Sequence, residues 1–194
     1  MHQQGIGKSV LVYAVKFILF FCILYFGTIA VIGLASNEGE YYSRLIDHFF
    51  NYPGWSKDSL LHGTNAFVSI FGYDTFIVLP SKIAIHHSGS AINIGYDYLG
   101  YGVLSFWIAF VFANKGTFLI KILWMLGGMI LIWCINILRM SLLLMAVNNN
   151  WRIPLFDQHT WFIIAAYILI FVLIYFYEWS GSGPIVRSNT PKDS

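Results

Sequence analysis

An arginine and an asparagine lie one helical turn apart inside a long apolar run, residues 118–147. These are Arg139 and Asn136, in the stretch Asn-Ile-Leu-Arg. A charge at the centre of a membrane helix costs roughly 2.5–3.5 kcal/mol on insertion scales, and such residues usually face a partner or a water-filled cavity. Because residues three apart share a helix face, both side chains point to the same side. The pair therefore predicts a polar site built around a fixed positive charge within a membrane helix.

The composition is that of an integral membrane protein. Of the 194 residues, 58% are hydrophobic and 10% are charged, whereas a soluble domain carries about 25% charged residues. We expect one membrane domain, residues 1–179, and a disordered polar tail, residues 180–194. The net charge of +2 comes without a basic cluster, which argues against nucleic acid as a partner. Cys22 and Cys134 both lie in apolar runs and form neither a disulfide nor a metal-binding pattern, so no cofactor or metal is expected.

Four apolar stretches are candidates to cross a bilayer, which takes about 20 residues of helix. They are residues 10–35, 98–113, 118–147 and 161–177. The first is longer than the apolar core of a signal peptide, about 7–15 residues, so we expect a retained helix. The predicted fold is an all-α polytopic transmembrane helix bundle.

The polar segment between the first two spans predicts smaller elements. Residues 40–50 suit a short amphipathic helix at the interface, and Tyr52-Pro53-Gly54-Trp55 is expected to break it. Residues 59–71 predict an amphipathic or partly inserted helix, with a further span over 59–79 left open. β-branched residues around Ser88-Gly89-Ser90 predict a hairpin over 76–94, outside the hydrocarbon because lipid cannot satisfy an open sheet edge.

Basic residues near the ends of the spans predict the orientation. Lys115 and Lys121 flank one short turn, and both termini are also basic, which places these three regions in the cytoplasm. Tyr98, Arg139 and His159 then converge near the outer leaflet, with Arg139 about 12 Å below the outer end of its helix. Simpler interpretations remain open: a histidine can anchor at an interface, and a buried arginine can pair with carbonyls or lipid phosphate.

The order of these motifs resembles the exosortase/archaeosortase family of membrane-embedded cysteine transpeptidases. In that family a Cys-x-Gly motif opens one helix, an Asn-x-x-Arg motif lies on the next, and a histidine follows. Here Gly100, Asn136, Arg139 and His159 match, and the resemblance covers residues 93–178. It implies a protein of the bacterial cytoplasmic membrane, surrounded by membrane lipids, that processes the C-terminal sorting segment of surface proteins. By the same resemblance, Arg139 stabilises an oxyanion and His159 acts as general base and acid.

This chain departs from the family at the nucleophile. Tyr98 stands where the family has its cysteine, and a phenol with a pKa near 10 is a poor acyl acceptor at neutral pH. Cys134 is no obvious substitute, because it lies about 140° around the helix from Arg139. Asp97 could serve as nucleophile or acid, or be a plain interface acid. Three interpretations of Tyr98 therefore remain open. The chain could be an inactive member of the family, it could use altered chemistry, or the residue at the active position could be a natural or introduced change.

Two other functions fit the same residues. A pocket of this kind could bind a lipid head group or hold a partner helix, which would make the chain a non-enzymatic component of a polysaccharide or protein export system. A transporter subunit fits less well, because the sequence lacks inverted repeats and pairs of broken helices.

Overall fold

The structure is a computed structural model that describes residues 2–35, 41–150 and 158–180. The described part is mostly helical and carries one small sheet. In chain order the elements are α1 (His2–Ala35), α2 (Arg44–Phe50), α3 (Tyr52–Ile70), β1 (Thr75–Val78), β2 (Lys82–Ile85), β3 (Ala91–Asn93), a 3₁₀ helix (Tyr96–Leu99), α4 (Tyr101–Ala113), α5 (Phe118–Asn148) and α6 (Gln158–Trp179).

Three of the described segments are long and apolar enough to cross a membrane. They are Val10–Ala35, Tyr96–Ala113 and Phe118–Asn148. The expectation of a multi-pass helical membrane protein is therefore confirmed at this level. The fourth span stays a prediction, because only the shorter segment Tyr167–Trp179 of α6 registers as apolar among the described residues.

Contacts between aromatic side chains show how α1 and α4 run relative to each other. At the start of α4 the rings of Tyr25 and Tyr101 are 5.5 Å apart, and near the end of α4 the rings of Phe20 and Phe112 are 4.2 Å apart. Since Tyr25 follows Phe20 whereas Tyr101 precedes Phe112, α1 and α4 run antiparallel. The aromatic residues that make these helices apolar thus also pair them.

A glycine lets α5 lie close against α4. A Cβ built on Gly128 would meet the Trp107 indole, whose Nε1 donates to the Trp124 carbonyl oxygen at 3.1 Å. Tyr177 of α6 packs edge-on against Trp124, with ring centroids 5.5 Å apart. The end of α6 therefore lies beside the beginning of α5, and α6 runs antiparallel to it.

Between α1 and the 3₁₀ helix, α3 and the sheet pack over the last turns of α5, whereas α2 packs against α1. We call α2, α3 and the sheet the cap. Its core is a cluster of buried aliphatic side chains that the cap shares with the 3₁₀ helix and α5: Leu60, Leu61, Val68, Ile83, Ile85, Ile92, Ile94, Leu99, Ile137, Met140, Leu144 and Met145. Apolar side chains from five elements are thus removed from water together, which is the main force holding the cap on the bundle.

The start of α3 corrects one expectation. The expected break at residues 52–55 is instead the first turn of a 19-residue helix, longer than the predicted 59–71. Pro53 suits that turn because a helix leaves its first N–H groups unpaired. Asn51 caps the helix, and its Oδ1 accepts a hydrogen bond from the Gly54 N–H at 2.9 Å. No single helix covers 59–79, because α3 ends at Ile70 and β1 begins at Thr75, and α3 is not among the described segments that are apolar enough to span.

The predicted hairpin is part of a three-stranded antiparallel sheet in the order β1-β2-β3. The turn between β2 and β3 lies at Ser88-Gly89-Ser90 as expected, with Gly89 at φ +69°. β1 adds a second hairpin, in which Phe76 pairs with Ala84. Ile83 and Ile85 point into the core of the cap, which explains the β-branched pattern of the sequence.

Candidate functional site

The site begins at a break between two helices. The 3₁₀ helix ends at Leu99, and α4 begins at Tyr101 rather than at the predicted Tyr98. Gly100 lies between them in the left-handed region, at φ +65° and ψ +29°. Such a conformation costs other residues roughly 1–2 kcal/mol. Gly100 therefore turns the chain, and Tyr98 lies on the short 3₁₀ helix before the turn.

Asn136 of α5 holds this turn in place. Its Nδ2 donates a hydrogen bond to the Leu99 carbonyl oxygen at 3.0 Å. A Cβ built on Gly100 would lie 3.1 Å from the same nitrogen. Gly100 thus has two reasons to be glycine, its backbone conformation and the close approach of the amide. The predicted supporting residues Gly100 and Asn136 are brought together.

Arg139 lies over the ring of Tyr98. The guanidinium carbon is 5.3 Å from the ring centroid, within the range of a cation–π interaction. Both side chains are half-buried. Tyr98, Gly100, Asn136 and Arg139, which the sequence separates by up to 41 positions, therefore form one cluster where α5 meets the 3₁₀ helix.

The surroundings of Arg139 change along α5. The residues that follow it include Met140 and Leu144, which are fully buried in the core of the cap. Beyond the end of α5, Asn149 Nδ2 donates to the Tyr73 hydroxyl at 2.9 Å. At 1.5 Å per residue, Phe118 to Arg139 spans about 32 Å, close to the hydrocarbon thickness of about 30 Å. Arg139 therefore lies where the exposed apolar part of α5 meets the cap, and its depth in a membrane stays a prediction.

The remaining predicted site residues are less closely tied to this cluster. Asp97 is exposed in the first turn of the 3₁₀ helix. Cys134 is exposed on α5 and Cys22 is partly buried on α1. The backbone of His159 opens α6, but its side chain lies outside the described residues.

An apolar groove of about 260 Å³ leads to the site. Leu99 and Asn136 line one end of it, so the groove reaches the hydrogen bond that holds the turn. Its walls come from α3, α4, α5 and the 3₁₀ helix: Ser56, Leu60, Leu99, Leu104, Leu126, Met129, Ile130, Trp133 and Asn136. No sequence pattern marks such a groove, because its walls come from separate segments.

The cluster combines a fixed positive charge, a side-chain amide and an aromatic face where the apolar helices meet the cap. Such a set can hold an anion or stabilise negative charge that develops on an oxygen. Among the described residues, no group of three or more His, Cys, Asp or Glu side chains could hold a metal ion.

Three comparisons with known proteins complete the description of the site. Family models, curated proteins and solved structures gave no match to this chain.

Proposed function

We propose that this chain is an exosortase-like membrane protein in which a tyrosine occupies the position of the nucleophile. The observation that carries the proposal is the stacking of Arg139 on Tyr98 beside the Asn136–Leu99 hydrogen bond. The Tyr-x-Gly and Asn-x-x-Arg motifs resemble the family in sequence, and their residues meet in space. The substrate class that follows from the resemblance is the C-terminal sorting segment of surface proteins.

The proposed topology has four spans in a bacterial cytoplasmic membrane, both termini in the cytoplasm and the site facing outside. It is supported by the two ends of α5. Lys115 and Lys121 lie at the beginning of this helix, and the cap lies at its end. The positive-inside rule assigns the basic end to the cytoplasm, which leaves the cap and Arg139 outside.

The proposed chemistry needs a thiol at position 98, which Tyr98→Cys would supply. The thiolate attacks a backbone carbonyl carbon of the substrate to form a C–S bond. The peptide C–N bond then breaks, and the leaving amine takes a proton from His159. An amine or hydroxyl acceptor gives a proton to His159 and attacks the thioester carbonyl. The C–S bond breaks, and the thiolate is released again.

Arg139 and His159 have distinct roles in this scheme. Arg139 would stabilise the oxyanion as a fixed charge, and His159 would transfer protons near neutral pH. The positions of the two residues along the antiparallel helices α5 and α6 support their acting at one site. From the Tyr177–Trp124 contact, His159 is about 27 Å along α6 and Arg139 about 22 Å along α5, a difference of about one helical turn.

The test is the reactivity of the thiol introduced by Tyr98→Cys towards a small alkylating reagent. We expect it to react faster than Cys22 and Cys134, because a nearby positive charge lowers a thiol pKa. Adding Arg139→Ala should slow it. Tyr101→Cys, a matched change on the first residue of α4, should not respond to Arg139→Ala to the same degree.

Processing is the second readout. In cells that carry a candidate sorting substrate, Tyr98→Cys should yield a cleaved or covalently trapped product, and adding His159→Ala should abolish turnover. The unmodified chain should process little or none. Robust processing by the unmodified chain would mean that another residue is the nucleophile, with Asp97 the next to test.

The second candidate function is a non-enzymatic scaffold or lipid- or partner-binding component of an export system. Position 98 carries a phenol, which is a poor nucleophile, and its ring lies against the Arg139 guanidinium. Both features favour this alternative. An unreactive introduced thiol together with an absence of product would support it against the enzyme.

A further inference from the structure

Two lysines lie within apolar helices at the end of the bundle where α4 ends and α5 begins. Lys16 lies in the apolar segment Val10–Ala35, and Lys121 lies in the first turn of the segment Phe118–Asn148. A charged side chain inside an apolar span is costly unless it reaches the membrane surface or a partner. The surroundings of these two lysines therefore show what each of them can bind.

Lys121 is held at the end of α4. Its Nζ donates a hydrogen bond to the Phe112 carbonyl oxygen at 3.0 Å and lies 5.6 Å from the centroid of the ring of the same residue. This carbonyl is one of the last four in α4, which have no partner within their own helix. Lys121 thus reaches across from α5, and the bond fixes the position of its ammonium group.

α1 brings Lys16 to the same place. The ring of Phe20 lies 4.2 Å from the ring of Phe112, and Lys16 is one turn before Phe20 on the same face of α1. The two ammonium groups are close enough for Lys16 to act on Lys121 by electrostatic repulsion. We call Lys16 and Lys121 the lysine pair.

The lysine pair lacks a balancing negative charge within the described part of the chain. There, Lys16 is the charged group that acts on Lys121, and no carboxylate acts on it. Glu178, exposed near the end of α6, acts instead on Tyr13, one turn before Lys16. Because like charges close together are unfavourable, an anion that contacts both lysines would relieve their repulsion.

We propose that the lysine pair binds the phosphate of an anionic phospholipid. An ammonium group has three donors, and the Phe112 carbonyl takes one of those of Lys121, so two remain for phosphate oxygens. Lys16 supplies further charge-assisted hydrogen bonds. The acyl chains pack on the exposed apolar face of α1 beyond Lys16, which includes Leu19 and Ile23. The site does not depend on the enzymatic proposal or on which side of the membrane this end faces.

The position of the lysine pair favours a lipid over a dissolved anion. At 1.5 Å per residue, Lys16 lies about 9 Å along α1 from the start of its apolar segment. Val12 and Phe118, one turn before Lys16 and Lys121 respectively, are exposed apolar side chains. A dissolved anion would lose water beside this surface, whereas a lipid phosphate already lies at the membrane surface. Basic pockets between transmembrane helices are general sites for acidic head groups.

The test is lipid retention by the full chain in a neutral detergent, measured by native mass spectrometry. Phosphatidylglycerol and phosphatidylcholine with the same acyl chains are added in equal amounts. We expect phosphatidylglycerol to be preferred by at least about fivefold, the ratio that the attraction of a single lysine to an anionic lipid produces. Phosphatidylcholine should bind less because its choline brings a further positive charge to the lysines. Equal retention of the two lipids would overturn the proposal.

Matched variants test the two lysines. Lys16→Gln and Lys121→Gln should each lower the preference, and the double variant should abolish it. Because Lys16 is exposed, Lys16→Gln removes a charge with little effect on the fold. Lys121→Arg keeps the charge and should keep the preference, and Lys82→Gln on β2 in the cap should leave it unchanged. An unchanged preference in the double variant would contradict the assignment.

A soluble competitor distinguishes the lipid from a free phosphate. Glycerol 3-phosphate carries the phosphate without acyl chains, and a large excess of it should not displace bound phosphatidylglycerol. Displacement would show that the lysine pair binds a dissolved anion, and it would overturn the choice of a lipid.

Discussion

The two halves of α5 lie in different surroundings although they form one continuous helix. The first half is apolar and largely exposed, with Leu119, Leu123 and Ile130 each more than 60% accessible. One face of the second half is buried under the cap, where Met140 and Leu144 are 0% accessible. The exposed apolar surface of the first half therefore suits contact with lipid. The buried face of the second half packs as in the core of a water-soluble domain. The Asn136–Arg139 pair, and with it the candidate site, lies where one environment changes to the other.

Each half of α5 also has one glycine-mediated approach to a neighbouring helix. In the first half, Gly128 faces the rigid ring of Trp107. In the second half, a Cβ on Gly63 of α3 would meet the terminal methyl of Ile137, an atom at the end of a flexible side chain. Both contacts bring helices close together, but only the contact with the ring cannot adjust. The first half of α5 is thus positioned by a rigid contact between Gly128 and the Trp107 ring. The capped half is positioned by burial of flexible side chains such as Ile137.

The largest expected effect is an all-or-none difference in labelling between the two ends of α5. In a background without Cys22 and Cys134, Ser88→Cys in the cap should react with an impermeant thiol reagent from outside. Lys115→Cys, before the beginning of α5, should react only after permeabilisation. The reverse pattern would place the cap and Arg139 in the cytoplasm.

Leu144→Ala should be the most destabilising single change in the capped half. Removing a fully buried leucine side chain costs about 2–5 kcal/mol. Leu142→Ala is the matched control at a position that is 39% accessible, and it should change the stability by about 0.5 kcal/mol or less. Thermal unfolding in detergent, followed by proteolysis within the cap, measures both. Equal effects of the two variants would argue that the cap is not a packed core.

Gly128→Ala should destabilise the membrane half by about 1–3 kcal/mol, because the added methyl overlaps the Trp107 ring. The adjacent Gly127 has no atom within 4 Å of its added Cβ, so Gly127→Ala should be neutral or stabilise by about 0.5–1 kcal/mol. Unfolding of the two variants in the same detergent gives the comparison. A Gly128 variant as stable as the Gly127 variant would contradict the close approach of α4 and α5.

Gly63→Ala should have the smallest effect. Ile137 can rotate its terminal methyl away, and alanine gains about 0.5–1 kcal/mol over glycine inside a helix. The net change in unfolding free energy should stay within about 1 kcal/mol. A loss as large as that of Gly128→Ala would show that the α3–α5 contact is as rigid as the α4–α5 contact.

Much of the candidate cluster could be predicted from local spacing. Arg139 and Asn136 share a face because they are three residues apart in a helix, and Gly100 follows Tyr98 at the spacing of the Cys-x-Gly motif that the sequence resembles. The sequence could not predict the 3₁₀ helix or the hydrogen bond from Asn136 to the Leu99 carbonyl. That bond joins residues 37 positions apart, and a backbone acceptor leaves no mark on residue type.

The errors at residues 52–55 and 98 have a shared cause. Pro and Gly in the sequence Tyr52-Pro53-Gly54-Trp55 can end a helix or begin one, and the choice depends on whether Asn51 caps it. Gly100 can likewise lie inside a helix, and here it turns the chain because Asn136 holds the carbonyl of the preceding residue. Local propensity allows both outcomes, and contacts with other elements select one of them.

The sequence by itself determined that this is a membrane protein, where its long apolar helices lie and which face of α5 carries Asn136 and Arg139. These features follow from composition and from the helical period, which act within a few neighbouring residues. Only the tertiary structure decided that the cap covers the second half of α5 and that Arg139 stacks on Tyr98. The physical reason is that burial and close packing depend on which distant segments meet, and a length of apolar helix suits lipid and a protein core equally well.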